Sequence, residues 1–74
     1  MGYVRKISIG LDYKSGMTYI TGQSVVGSEY SIHEILPSPA GGWQIWVESR
    51  SGEVLLWKEF SETVPAHIEY NLDF

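Results

Sequence analysis

Apolar and polar side chains alternate along most of this chain with the period of a β-strand. In YVRKISIGL, residues 3–11, Ile7, Ile9 and Leu11 alternate with Lys6, Ser8 and Gly10, the pattern of a half-buried strand. Lys14-Ser15-Gly16 reads as a turn, and Met17 to Thr21 returns as a short strand. A third strand is expected from about Glu29 to Leu36, with Tyr30, Ile32 and Glu34 on one side and Ser31, His33 and Ile35 on the other. The looser stretch before it, from Gln23, contains Gly22 and Gly27 as points of sharp bending. Pro37-Ser38-Pro39-Ala40-Gly41-Gly42 cannot continue a helix or a central strand and marks a loop.

Trp43 to Glu48 and Glu53 to Lys58 form the strongest hairpin signal, joined through Ser49-Arg50-Ser51-Gly52 with glycine suited to a left-handed conformation. With Arg50 to Gly52 as a three-residue loop, Ser49 opposes Glu53. One face then collects Trp43, Ile45, Val47, Leu55 and Trp57, and the other carries Gln44, Trp46, Glu48, Val54, Leu56 and Lys58. A two- or four-residue loop aligns Trp46 with Trp57 instead. Under each register both faces keep large apolar groups, and Trp43 and Trp46 cannot share a side. Phe60 to Pro65 makes a helical turn or tight bend, and Ala66 to Phe74 closes the chain as a strand alternating Ile68, Tyr70, Leu72 and Phe74 with His67, Glu69, Asn71 and Asp73. No segment of ten or more residues has a helical period, so an all-β, antiparallel, single domain spanning residues 1–74 is expected, with five to six strands.

The early hairpin loop, the strand entered through VVGSEYSIHEI, the tight hairpin WQIWVESRSGEVLLW and the turn ending in VPAHIEY resemble, in that order, a Src-homology-3-like small barrel. The resemblance implies a small closed barrel or a strongly bent sheet and carries over no binding residues, since the acidic loop and tyrosine pair of the peptide-binding branch have no counterpart. The chain is also similar in style to the short, acidic, aromatic-rich accessory proteins of tailed bacteriophages, which implies a counter-defence or host-takeover role.

At 74 residues the core is thin, since a domain of this size buries about 60% of the surface its unfolded chain exposes. There is no cysteine, so neither a disulfide nor a thiolate zinc site can supplement it. Dense aromatic packing or oligomerisation remains. The apolar runs are too short to span a bilayer and MGYVRKISIG lacks the apolar centre of a secretory signal, so a cytoplasmic protein without membrane contact is expected. Nine acidic residues face five basic ones, and the basic ones are scattered, which disfavours duplex DNA as a partner. The acidic residues form no long run that would imitate a phosphate ladder.

Candidate chemistry is sparse. His33 and Glu34 are neighbours in a strand and are expected on opposite faces. His67 and Glu69 share a face, but a carboxylate beside an imidazole is most often a solvated pair. No serine sits in a glycine-flanked elbow, Glu59 and Glu62 read as a charged turn, and Gly22 to Gly27 lacks the lysine of a phosphate loop. The expectation is a protein that is not an enzyme and uses no metal or cofactor.

The aromatic side chains exceed what one small core needs. Trp46, Tyr13 and Tyr19 are the candidates for the surplus. A homo-oligomer is expected through the face bearing Trp46, Leu56, Val54 and, by register, Trp57, because a barrel has one interior and this hairpin has two apolar sides. The oligomer would block a host protein or sequester a small anionic, nucleotide-like ligand, with Tyr13 or Tyr19 stacking on bases and Arg5, Lys14 or Arg50 meeting phosphates. A structural assembly component and a single-stranded nucleic-acid binder are the alternatives.

Overall fold

The computed structural model describes residues 3–10 and 17–71. Leu11, Tyr13, Lys14 and the last three residues lie outside this range, and with them the expectations placed on Tyr13 and Lys14. Six strands follow in order: β1 (Tyr3–Ile9), β2 (Met17–Ile20), β3 (Ser31–Pro37), β4 (Trp43–Glu48), β5 (Val54–Phe60) and β6 (Ala66–Asn71). They form two three-stranded antiparallel sheets, β2-β1-β6 and β3-β4-β5. The chain is therefore a small all-β domain. No helix among the described residues is long and apolar enough to cross a membrane.

A closed barrel is not formed among these residues. The route from β2 to β3 breaks its ladder at Gly22, where φ is +92°, and folds back on itself. Only the Ser24–Ser31 bridge and a few backbone bonds, such as Ile32 N–H to Gln23 O at 2.9 Å, tie it to the start of β3. No ladder joins β5 to β2 or β6, so each sheet keeps two edges.

The core lies between the sheets. Val4, Ile7, Ile9 and Tyr19 come from the first, Ile32, Ile35, Ile45 and Val47 from the second. Each such aliphatic side chain contributes about 1.5–3 kcal/mol by leaving water. Tyr19 is a correction to the sequence reading. It is only 5% exposed, directly opposite Ile7 on β1, and the Trp57 ring meets it edge-on at 5.6 Å. Burial raises the pKa of its phenol. It belongs to the core because the register sets it opposite the fully buried Ile7, on the inward face of the first sheet.

Three bulges bend the strands, and each changes which side chains face inward. On β1 the pairing steps from Val4–Tyr70 to Lys6–Glu69, leaving Arg5 as the extra residue. On β3 it steps from Ile32–Val47 to Glu34–Trp46, leaving His33. On β5 it steps from Trp46–Leu56 to Ile45–Lys58, leaving Trp57. An extra residue resets the two-residue period, so Ile32 and Ile35 are both buried although a straight strand would oppose them. The same reset brings His33 Nε2 to 3.8 Å from Glu34 Oε1, against the expectation that the two point apart.

The hairpin itself has the three-residue loop. Ser49 N–H donates to Glu53 O at 2.9 Å, and Ser49 to Glu53 is closed further by the Ser49 hydroxyl, which accepts from Glu53 N–H at 3.2 Å. Beyond Trp57 the register moves by one, so Lys58 leaves the Trp46 face and Glu59 takes its position there, opposite Gln44.

Candidate interaction face

The outward side of the second sheet is built from alternate residues of three strands. The register aligns Leu36 and Glu34 on β3, Gln44, Trp46 and Glu48 on β4, and Glu59, Leu56 and Val54 on β5. Leu36, Leu56 and Val54 are exposed, with Leu56 at 39%, and Trp46 is half-buried among them. An apolar stripe thus crosses the sheet diagonally, and Glu34, Glu48 and Glu59 surround it. His33 stands between two of these, its Nδ1 3.4 Å from Glu48 Oε2.

The stripe is held in place by a run of hydrogen bonds. The Trp46 indole N–H donates to Gln44 Oε1 at 3.1 Å, and the Gln44 amide donates to Glu59 Oε2 at 3.2 Å. The buried Ser38 hydroxyl donates to the same oxygen at 2.7 Å. These bonds favour the ionised carboxylate, that from Ser38 first, and hold the Glu59 pKa below the usual carboxylate value. They also fasten the Pro37–Gly42 loop, which is a tight turn closed by Ser38 N–H to Gly42 O at 3.0 Å and Gly41 N–H to Ser38 O at 3.0 Å. Pro37 is the last residue of β3, tolerated because β3 is an edge strand.

Of the interaction residues expected from sequence, Trp46, Leu56 and Val54 lie together on this face. Trp57 does not: its bulged position turns it to the other side, against Tyr19, with the Lys58 ammonium 4.9 Å above its ring. Those of the residues expected to meet an anionic ligand that lie among the described ones are not brought together. Arg5 sits in the first sheet with its guanidinium 2.6 Å from Glu69, both about half exposed. Arg50 is at the tip of the β4–β5 hairpin in the second sheet, and Tyr19 is in the core.

The outward side of the first sheet is polar. Ser8 lies opposite His67 and Lys6 opposite Glu69, but the Ser8 hydroxyl is 3.5 Å from that of Thr18 and Glu69 is taken by Arg5. No group of three or more metal-binding side chains occurs among the described residues.

Sequence reasoning missed Leu36, assigned to the end of a strand, and Glu59, assigned to a turn. The signal for Glu59 lies in Leu55-Leu56-Trp57, three large apolar residues in a row, which a straight half-buried strand cannot accommodate. Comparison with family models, with curated proteins and with solved structures finds no match to this chain.

Proposed function

We propose that this chain is a non-enzymatic binding protein, and that the outward face of β3-β4-β5 is the surface with which it occupies another protein. The observation that carries this reading is the composition of that face: Leu36, Trp46, Leu56 and Val54 contiguous across three strands, ringed by Glu34, Glu48 and Glu59. An apolar centre gives affinity and a charged rim selects the partner. The complementary surface is therefore apolar with a basic border. The expectation that two copies meet through this face is set aside, because face-to-face pairing would oppose three carboxylates with three more.

Blocking a host protein, as the likeness to phage accessory proteins implies, suits this face better than sequestering a nucleotide, for which the described candidates Arg5, Tyr19 and Arg50 lie apart. The strand order supports reading the fold as an opened form of the Src-homology-3-like barrel, with β2 and β3 as the two halves of one interrupted strand.

The test is affinity capture from a lysate of the organism carrying the gene, comparing the natural chain with Leu56→Asp. Leu56 is on an edge strand and exposed, so the variant keeps its core. The expected result is a protein retained at low salt, released at about 0.5 M salt where the Debye length falls to a few ångströms, and not retained by Leu56→Asp. A set of captured proteins that is the same for both chains overturns the reading.

A further inference from the structure

On its other side β5 borders a groove that the face described above does not use. Two clefts meet there, of about 190 Å³ and about 310 Å³, sharing Val25 and Trp57. In the smaller cleft the walls are the turn from Val25 to Tyr30 and Leu55 and Trp57 of β5; the larger runs from Trp57 past the 23–26 segment to residues 17–19 of β2. At the crest of that turn Val26 is 99% exposed. The turn is locked: Val25 N–H donates to Tyr30 O at 2.9 Å, Ser28 N–H to Val25 O at 3.2 Å, and the Ser28 hydroxyl to Val25 O at 3.0 Å. Gly27, with φ +77°, permits the bend. An apolar side chain is thus presented to water on a fixed support, directly beside apolar hollows large enough to receive an aliphatic group.

We propose that this groove is where a second copy of the chain docks, Val26 of each copy entering the cleft of the other beside Trp57. Three observations select a second copy as the occupant. Knob and hollow are adjacent on one molecule, the self-complementarity that a two-fold axis between them requires. Among the described residues, no carboxylate, ammonium, guanidinium or imidazole lines either cleft, so two copies of a chain with net charge −4 can meet here without opposing their acids. The flanking charges are opposite in sign, Glu29 in the turn and the Lys58 ammonium 4.9 Å from the Trp57 ring, so a second copy brings to the groove the sign that complements each. Docking also covers the outer edge of β5, a seven-residue strand that otherwise offers its free backbone groups to any extended chain.

This inference does not depend on the partner-binding role of the opposite face, and its test separates the two. Native mass spectrometry and sedimentation of the full chain are run alongside Val26→Asp, Val26→Ser and Leu56→Asp. The natural chain is expected at twice the 8.4 kDa chain mass. Val26→Asp is expected at the single mass, with self-association weakened about a hundredfold or more because the change removes both knobs at once. Val26→Ser is expected in between, and Leu56→Asp at the double mass. Val26 makes no buried contact, so circular dichroism of its variants stays that of the natural chain. A natural chain at the single mass up to about 100 µM, far above the working range of a specific dimer, overturns the proposal. So does a double mass that both Val26 variants retain.

Discussion

At Gly42 the chain runs so close to the end of β5 that a Cβ would collide with the carbonyl oxygen of Phe60, and φ is +76°. Gly52 in the β4–β5 loop has a similar φ, +90°, but open space around it. Gly52→Ala therefore costs only the left-handed conformation, about 1–2 kcal/mol, whereas Gly42→Ala adds a backbone clash and is expected to cost on the order of 4 kcal/mol or more. Urea midpoints of the two variants measure the difference. Glu59 gives a second prediction. Its folded pKa is depressed, so the stability it contributes is present above the ordinary carboxylate value and is lost as the pH falls through the lowered one. Melting temperatures of the natural chain and Glu59→Gln are expected to differ at neutral pH and to converge in acid. That Gly41-Gly42 makes a turn is legible in the sequence, because two glycines after two prolines admit little else. That Gly42 is pressed against Phe60 is not, since residues eighteen apart meet only through the β4–β5 register.

All three bulges carry a residue whose chemistry drew attention in the sequence; at two of them the extra residue is turned out to solvent, and at the third Trp57 is turned in towards the core. Arg5 reaches Glu69, His33 stands between Glu34 and Glu48, and Trp57 covers Tyr19. The six strands were legible because alternation survives for three or four residues at a stretch, enough to assign type if not facing. The bulges were less so. Ile32-His33-Glu34-Ile35 places apolar residues three apart with two polar ones between, which satisfies neither a straight strand nor a helix of useful length. A bulge satisfies it, and the consequence is measurable. Ile32→Ala and Ile35→Ala, both buried, are each expected to cost about 2–4 kcal/mol, enough to unfold much of so small a domain. A large cost at only one of the two in denaturant titrations would mean that β3 is straight.

Over the described residues, apolar side chains gather in the interior, in a stripe ringed by carboxylates on one side of β5 and in an uncharged groove on the other, with Tyr3 and Tyr70 exposed apart from them. The hairpin's two apolar sides were evident from Trp43 and Trp46 alone. Which side serves which contact was not, because it depends on where Trp57 and Lys58 turn after the bulge and on the approach of the Val25–Tyr30 turn to β5. The succession of strands along the chain was legible and the absence of closure was not, since the interruption between β2 and β3 rests on backbone bonds of Gly22 and Gln23 that no side-chain pattern announces. The division makes the two contacts separable. Native mass spectrometry of the tagged chain, gently purified from its source cells, tests this most directly, because one spectrum counts copies of the chain and any bound protein. The account predicts two copies with a bound partner for the natural chain, two copies alone for Leu56→Asp, and one copy with a partner for Val26→Asp. A spectrum in which either substitution removes both contacts, or neither removes any, would contradict it.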